Sequence, residues 1–191
     1  RYSANEYVYG TEPNDFLTSM MAELKKGRVL CLAEGEGRNA VHLAKAGFDA
    51  TAVDSSRVGL QKAQRLASLN EVTIKTVHAD VAEFAIEHEA WDSIISIFGH
   101  VPPETRKRLH KDVAKGLKKG GTFLLEAYTP KQLGFGTGGP QSAHLMMELA
   151  TLKEELSGLE ILHGVELIRK VTEGAFHTGM AAVVQVLAVK R

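Results

Sequence analysis

A chain of 191 residues with 44% hydrophobic and 24% charged residues has the size and composition of a single globular domain. Its 23 basic and 23 acidic side chains cancel, which excludes the overall positive surplus on which strong binding to a phosphate backbone draws. No apolar run approaches the roughly 18 residues of a membrane span, no signal-peptide pattern opens the sequence, and a lone cysteine, Cys31, excludes a disulfide framework and fits a reducing cytoplasm.

The predicted elements alternate between short apolar strands and helices. The sequence begins with Arg1 rather than Met, and we expect that a few residues precede it. Asn14 is a suitable N-cap for a first helix that carries Phe16 and Leu24 and ends near Gly27. Five apolar runs follow, at Val29–Ala33, Ala50–Val53, Thr73–Val77, Ser93–Phe98 and Thr122–Leu125. Continuous apolar runs between helical segments are typical of a parallel sheet that is buried on both faces.

The last part of the sequence predicts an addition to this sheet. Residues 134–140 are rich in glycine and precede a predicted helix over residues 142–156. Two β-like runs, Glu160–Val171 and Ala181–Val189, flank a short polar loop and predict an antiparallel hairpin at the sheet's edge. We therefore expect one α/β domain over residues 1–191, a Rossmann-like doubly wound sheet that is mostly parallel, with helices on both faces and a C-terminal antiparallel hairpin.

The densest basic segment follows the fourth apolar run. Its members are Arg106, Lys107, Arg108, Lys111, Lys115, Lys118 and Lys119. At about 100° per residue, most of them fall on one side of a helix, and Leu109, Val113 and Leu117 fall on the side that faces the core. We interpret the basic side as a solvated helix face, with a nucleic-acid-binding patch as the alternative.

Residues with ligand-binding chemistry follow the predicted strands, where open α/β sheets bind their ligands. After the first strand, Glu34-Gly-Glu-Gly-Arg-Asn-Ala40 contains glycines that allow an unusual turn and a close approach of a ligand, before a helix whose free N–H groups point at the turn. Asp54 ends the second strand and can accept hydrogen bonds from both hydroxyls of a ribose. Asp80, after the third, can accept from an adenine amino group. The glycines also fit a plain tight turn or a dehydrogenase fingerprint, and both aspartates also fit helix N-caps.

With these residues assembled, the chain resembles the class I S-adenosylmethionine-dependent methyltransferases, and among them the small branch of tellurite-resistance and thiopurine-type methyltransferases. The resemblance covers about residues 5–190. The stretches that carry it are Val29–Ala40, Val53-Asp54, His78–Asp80, Trp91–Ile94 and Leu117–Leu125. Two positions depart from many relatives, because Cys31 stands where an acid is common and Ala33 where a glycine is common.

The resemblance implies S-adenosylmethionine as the cofactor and assigns a set of residues to it. Gly35 and Gly37 would cradle the methionine part, Asp54 would hold the ribose, and Asp80 the adenine amino group. Because of the two departures, Glu34 is our hypothesis for the cofactor's amino group. The full predicted cofactor site is Glu34, Gly35, Gly37, Asn39, Asp54, Ser55, Asp80, Val81, Ile97 and Phe98, the last two forming a wall beneath the sulfonium.

Candidates for the acceptor side are fewer. His100 and Tyr128 follow the fourth and fifth strands and are the candidate catalytic residues, with a structural role as the alternative for each. His177, between the last two strands, is a weaker candidate. Residues 1–27 are expected to form an N-terminal segment and helix, of which the part from Tyr7 to Asn14 is either a lid over the cofactor or a surface strap. Residues 134–156 are expected near the acceptor.

These observations predict an enzyme that transfers a methyl group from S-adenosylmethionine by in-line displacement to a small molecule such as a thiol or a metalloid oxyanion. We expect a cytoplasmic monomer or homodimer without a membrane partner. The alternatives are an RNA or protein methyltransferase guided by the basic helix, an NAD-dependent oxidoreductase, and a cofactor-binding protein without catalysis. Because H-x-x-x-H and C-x-x-C spacings are absent from the sequence, no metal site is predicted.

Overall fold

A computed structural model describes residues 7–174 and 177–191. Within them, the seven strands form one sheet in the order β3-β2-β1-β4-β5-β7-β6. The strands are β1 (Arg28–Leu32), β2 (Asp49–Asp54), β3 (Lys75–His78), β4 (Trp91–Ile97), β5 (Leu117–Tyr128), β6 (Glu160–Glu173) and β7 (His177–Val189). The helices are α1 (Asp15–Ser19), α2 (Arg38–Lys45), α3 (Arg57–Leu69), α4 (Pro103–Gly116) and α5 (Leu149–Glu155), with short 3-10 turns at Met21–Glu23, Pro130–Gly134 and Ala143–Leu145.

The pairing of the strands confirms the predicted fold class. Strands β1 to β5 pair in parallel, whereas β7 runs antiparallel to β5 and β6 runs antiparallel to β7. The strand order reverses between β1 and β4, so the carboxyl ends of these two central strands border the crevice where such sheets bind ligands. None of the helices in the described residues has the length and apolar character needed to cross a membrane.

Two layers of apolar side chains lie on opposite faces of the sheet. In β1, Val29 and Cys31 pack with α1, α2 and α3, whereas Leu30 and Leu32 pack with α4 and α5. This alternation is why the strand reads as a continuous apolar run in the sequence. Cys31 is fully buried, and burial raises the pKa of its thiol well above the usual range, so it is a core residue.

Two of the predicted helices are shorter than the sequence pattern indicates. The first begins as expected, because the side chain of Asn14 caps α1 by accepting from the Leu17 N–H (2.9 Å), but it ends at Ser19 and continues as a 3-10 turn. The helix predicted over residues 142–156 is broken into a 3-10 turn and α5. The Met147 N–H donates to the Tyr128 carbonyl (2.9 Å), so the chain bonds to the end of β5 there.

The prediction that the basic segment forms a solvated helix face is wrong for Arg106 and for the last two lysines. Arg106 is 5% exposed and its guanidinium forks onto the carboxylate of Glu155 in α5 (2.8–3.1 Å). Lys118 and Lys119 lie in β5, after the helix has ended. Although burial opposes it, hydrogen bonds from His110 and Arg106 lower the pKa of Glu155 to about 2. A helix periodicity cannot reveal that α5 covers part of this face.

Candidate functional site

The loop after β1 is built from residues in left-handed backbone conformations. Ala33 has φ +52°, Gly35 +62° and Gly37 +87°. A Cβ at Gly37 would lie 2.4 Å from the Cβ of Ala63, so the glycine lets α2 begin directly against α3. At Ala33 the chain adopts a conformation that favours glycine, the residue that the resemblance implies at this position.

Asp54 brings the glycine loop and the ends of β2 and β3 together. Its carboxylate accepts from the Gly35 N–H (2.8 Å) and from the Ser56 N–H (2.7 Å). Its carbonyl accepts from the Ala79 N–H (3.1 Å), one residue before Asp80. The three predicted positions therefore converge on one rim of the sheet. Ser56, and not Asp54, supplies the side-chain cap of α3.

The residues that flank this rim differ in exposure. Asp80 is exposed, and its Oδ1 accepts from the Ala82 N–H (2.8 Å) in a tight turn. Ser55 is exposed as well, whereas Val81 is 8% exposed and packs into the core beside them. The rim thus offers an exposed carboxylate and an apolar side chain next to each other.

Glu34 precedes α2, and its Oε1 accepts from the Ala40 N–H (2.7 Å) in the first turn of that helix. Burial raises the pKa of Glu34 to about 7, because the loss of hydration outweighs the Ala40 hydrogen bond and the positive charge of Arg38. Among the ion pairs of the described residues, none involves Glu34. This acid therefore favours a positively charged ligand beside it.

A cavity of about 280 Å³ opens between the ends of β1, β4 and β5. Six of the twelve residues that the sequence predicted for the cofactor and catalytic sites line it, and they are Glu34, Asn39, Ile97, Phe98, His100 and Tyr128. The other six, around Asp54 and Asp80, do not line the cavity. The candidate site thus consists of this partly open cavity and the rim at β2 and β3.

Three aromatic rings stack along one wall of the cavity. The ring centroid of Tyr128 lies 4.6 Å from that of Phe98 and 5.6 Å from that of His100. Phe98 holds a left-handed conformation (φ +54°), which turns the chain out of β4 at this point. Burial raises the pKa of the Tyr128 hydroxyl above its usual range, so the phenol stays neutral at physiological pH.

Both ring nitrogens of His100 contact the main chain. Its Nε2 accepts from the Tyr128 N–H (3.0 Å), and its Nδ1 lies 3.0 Å from the Phe98 carbonyl, to which it can only donate. These contacts select the neutral tautomer with the proton on Nδ1. The geometry therefore favours a role for His100 in fixing the ends of β4 and β5.

The segment of residues 7–14, which we call the strap, crosses the cavity, and Tyr9 and Gly10 line it. Glu36 of the glycine loop holds the strap, because its Oε2 accepts from the Val8 N–H (2.7 Å) and the Tyr9 N–H (3.4 Å). The other oxygen of Glu36 pairs with the Lys62 ammonium (2.7 Å). Because it lines the cavity, the strap is more than a segment packed on the outside of the sheet.

A buried polar network anchors the end of the strap. Its members are Asn14, Arg38, Glu126, Arg169, Glu173 and Gln185. The Asn14 amide donates to Glu126 (2.6 Å) and to Glu173 (2.8 Å). Arg169 pairs with the same two carboxylates, Arg38 pairs with Glu173, and Gln185 donates to Glu126 (2.7 Å). The network joins the strap, α2, β5 and the terminal hairpin at one point.

Several cavity residues were missing from the sequence prediction. Glu36 and Arg38 stand inside the glycine motif, but their roles depend on the strap and on the hairpin, far away in sequence. Gly139 and Pro140 come from the glycine-rich loop, and a Cβ at Gly139 would lie 2.8 Å from the Tyr128 ring. The side chain of His177, a weaker catalytic candidate, lies outside the described residues.

The chain is similar in sequence and in fold to known methyltransferases. A family model described as "Methyltransferase domain" matches residues 29–121. The uncharacterized methyltransferase YbaJ of Bacillus subtilis is 30% identical over 115 residues, which are 60% of this chain and 45% of that protein. The glycine/sarcosine N-methyltransferase of Aphanothece halophytica is 28% identical over 127 residues, 64% of this chain and 48% of that protein. The chain thus spans about half the length of the curated relatives that it matches.

Solved structures share the fold at lower identity. TehB from Haemophilus influenzae superposes with a TM-score of 0.74 at 21% identity, over 93% of this chain and 62% of that one. Other structures with this fold are S-adenosylmethionine-dependent methyltransferases, at TM-scores of 0.70 and 0.69 and identities of 16% and 15%. The family match spans the glycine loop and Asp54, so the chain is similar in sequence to methyltransferases and shares the fold of S-adenosylmethionine-dependent methyltransferases.

Proposed function

We propose that the protein transfers a methyl group from S-adenosylmethionine to a small-molecule acceptor bound in the cavity. The observation that carries the proposal is the contact between the Asp54 carboxylate and the Gly35 N–H, beside a cavity whose wall holds Glu34. An acid that closes the second strand next to a glycine loop suits a ribose, and a neighbouring unpaired acid suits a cation. S-adenosylmethionine offers both groups.

The rim of the sheet fits the adenosine part of the cofactor. Asp54 uses one lone pair of each oxygen for main-chain N–H groups, so further lone pairs remain for two ribose hydroxyls, with Ser55 beside them. Asp80 is exposed and available for the adenine amino group. Val81, buried beside it, offers an apolar contact to the base.

The glycine loop fits the methionine part. We assign the cofactor's amino group to Glu34, which lines the cavity and whose Oε1 accepts from the Ala40 N–H in the first turn of α2. Gly35 and Gly37 keep the loop free of side chains, so the main chain can approach the ligand. Asn39 shapes this end indirectly, because its Oδ1 accepts from the Asn14 N–H (2.9 Å) and thereby holds the strap.

The cavity wall formed by Ile97 and Phe98 suits the reacting centre. When bound, S-adenosylmethionine supplies a methyl group on a positively charged sulfur that is already a good leaving group. The protein then has to align the acceptor in line with that bond and exclude water. The stacked rings of Phe98 and Tyr128 offer a π face to the positive charge. We propose that His100 positions these rings through its two main-chain contacts.

The acceptor that we propose is a small molecule, such as a thiol or a metalloid oxyanion. A cavity of about 280 Å³, crossed by the strap and bordered by Gly139, Pro140 and Leu145, suits a compact ligand. We propose that the predicted N-terminal segment of residues 1–27, of which residues 1–6 lie outside the described residues, acts through the strap as a lid and that residues 134–156 border the acceptor. The burial of Arg106 removes one cation from the surface that the RNA alternative requires. The lone thiol, buried in the core, is consistent with our proposal of a cytoplasmic enzyme.

The experiment measures release of S-adenosylhomocysteine from S-adenosylmethionine across a panel of thiols, metalloid oxyanions, small carboxylates and RNA. We expect turnover with a small acceptor and loss of it in Asp54→Asn, whereas Asp49→Asn, at the exposed start of the same strand, keeps it. Turnover with RNA alone would overturn the choice of acceptor. If adenosyl compounds fail to bind in a titration, the proposed function itself is wrong.

A further inference from the structure

The two edges of the sheet differ in how well they are protected. At one edge, β3 has only four residues; at the other, β6 has fourteen. An unpaired strand presents N–H and C=O groups that can pair with another strand, and natural proteins shorten or cover such edges. Strand β6 is long and carries exposed apolar side chains at Leu162 (50% exposed) and Ile168 (55%), with Met180 (46%) on the neighbouring strand.

The main-chain groups of Ile168 face the open edge. Ile168 lies opposite Ala182 of β7, and Ala182 directs its own groups away from β6. The N–H of Ala182 donates to Gln132 Oε1 (2.9 Å), and the carbonyl of Ala182 accepts from the Thr129 N–H (3.0 Å). Ile168 and Ala182 therefore form a pair without main-chain hydrogen bonds between them. In such a pair of an antiparallel sheet, the N–H and C=O groups of both residues point away from the partner strand, so those of Ile168 face away from β7.

The residues two positions away follow the same alternation. The main-chain groups of Glu166 and Lys170 therefore face the edge as well. The carbonyl of Lys170 accepts from the side chain of Arg169 (3.2 Å), which agrees with an outward direction, and a carbonyl has a second lone pair for another donor. Three alternate residues in the middle of β6 thus present pairs of hydrogen-bonding groups.

The side chains of this stretch complement themselves under two-fold symmetry. If two copies of β6 pair antiparallel about Ile168, Glu166 of each copy lies opposite Lys170 of the other. If the two-fold axis instead lies two residues away, at Glu166 or at Lys170, it sets Glu166 opposite Glu166 or Lys170 opposite Lys170, which like charges disfavour. Glu166 Oε1 accepts from the Leu149 N–H (2.8 Å), so its other oxygen is available for the lysine.

We propose that the protein forms a homodimer in which β6 pairs antiparallel with β6 of a second copy, centred on Ile168. Ile168 of the two copies would exchange two main-chain hydrogen bonds across the axis, and each Glu166 would pair with a Lys170. A symmetric interface of this kind uses the same patch on both subunits. The proposal does not depend on the methyl-transfer activity, because β6 is the strand farthest from the glycine loop on its side of the sheet.

The first test is disulfide trapping with Ile168→Cys. Hydrogen-bonded cross-strand residues have Cα atoms about 5.5 Å apart, within the range that a disulfide spans. Cys31, the one native cysteine, is fully buried and does not compete. Under mild oxidation we expect a covalent dimer from Ile168→Cys and none from Leu69→Cys, at a 72% exposed apolar position at the end of α3.

The second test is the mass in solution by light scattering. We expect twice the chain mass of 20.8 kDa for the wild type and the mass of one chain for Ile168→Glu, with an unchanged far-UV spectrum. Lys170→Glu should also dissociate the dimer, and the exchange Glu166→Lys with Lys170→Glu should restore it. The proposal is overturned if the wild type is monomeric at tens of micromolar or if β6 pairs with a strand of another protein. It is also overturned if Ile168→Glu remains dimeric while Ile168→Cys gives no cross-link.

Discussion

The two sides of the candidate site are built in different ways. On the side of β1 to β3, the glycine loop and Asp54 come from neighbouring stretches and meet because parallel strands end at one rim. On the side of β4 and β5, the cavity wall depends on the strap and on the polar network, whose members are spread from Asn14 to Gln185. The first side therefore depends on local turns, whereas the second depends on tertiary contacts.

The largest effect that this comparison predicts is on stability, at the polar network. Glu126→Ala leaves the largely buried Arg169 and the buried Asn14 without their shared carboxylate, and breaking buried pairs costs about 3 to 5 kcal/mol. We expect a loss of that size in urea unfolding. Asp49→Ala, which removes the exposed pair with Lys75, should cost under about 1 kcal/mol. Equal losses in the two variants would contradict a special role for the network.

The next effect concerns cofactor affinity at the rim. Asp54→Asn keeps the size of the side chain but replaces one acceptor oxygen by a donor. Because hydrogen bonds to charged groups contribute about 1.5 to 3 kcal/mol each, we expect roughly 100-fold weaker binding of S-adenosylhomocysteine in calorimetry. Asp49→Asn serves as the control and should bind as the wild type does. An unchanged affinity in Asp54→Asn would show that the rim does not bind the cofactor.

A smaller, pH-dependent effect is expected at Glu34. Its pKa of about 7 means that the carboxylate ionises between pH 6 and 8, and an ammonium group of the ligand binds the ionised form. Affinity for S-adenosylmethionine should therefore rise roughly tenfold from pH 6 to pH 8. In Glu34→Gln it should be lower and independent of pH in this range. A wild-type affinity that does not change with pH would contradict the assignment.

The same group affects the stability of the free protein in the opposite direction. The pKa of Glu34 is raised from 4.5 to about 7 in the folded state, so the folded chain binds the proton more tightly than the unfolded chain does. The contribution of Glu34 to the free energy of unfolding is therefore fully present below about pH 4.5 and is lost as the pH rises through 7. Glu34→Gln should flatten this part of the stability profile, which thermal melts at several pH values can measure.

The smallest effect is expected at the strap. A Cβ at Gly174 would lie 2.4 Å from the Val8 carbonyl, so Gly174→Ala should push the strap away from the cavity. If the displaced strap stabilises the bound ligand by about 1 kcal/mol less, S-adenosylhomocysteine should be released about fivefold faster in stopped-flow measurements. Gly47→Ala is the matched control, because Gly47 is also left-handed but has open space around it. Equal release rates in both variants would show that the strap does not hold the ligand.

The sequence predicted the sheet and the convergence at its rim well, because both follow from local patterns. Apolar runs identify the strands, and a glycine turn followed by Asp54 identifies one rim of a parallel sheet. The sequence could not predict that Arg106 is buried against Glu155, because α5, the helix that covers it, contributes no signal to the periodicity of α4. The role of Glu36 was missed because the strap that it holds is far away in sequence.

The most direct test of the account is a calorimetric titration of the purified protein with S-adenosylhomocysteine and, separately, with NADH. We predict that S-adenosylhomocysteine binds at one site per chain, that Asp54→Asn weakens this binding, and that NADH produces no saturable heat. Saturable binding of NADH together with no binding of adenosyl compounds would contradict the assignment of the rim and the cavity to S-adenosylmethionine.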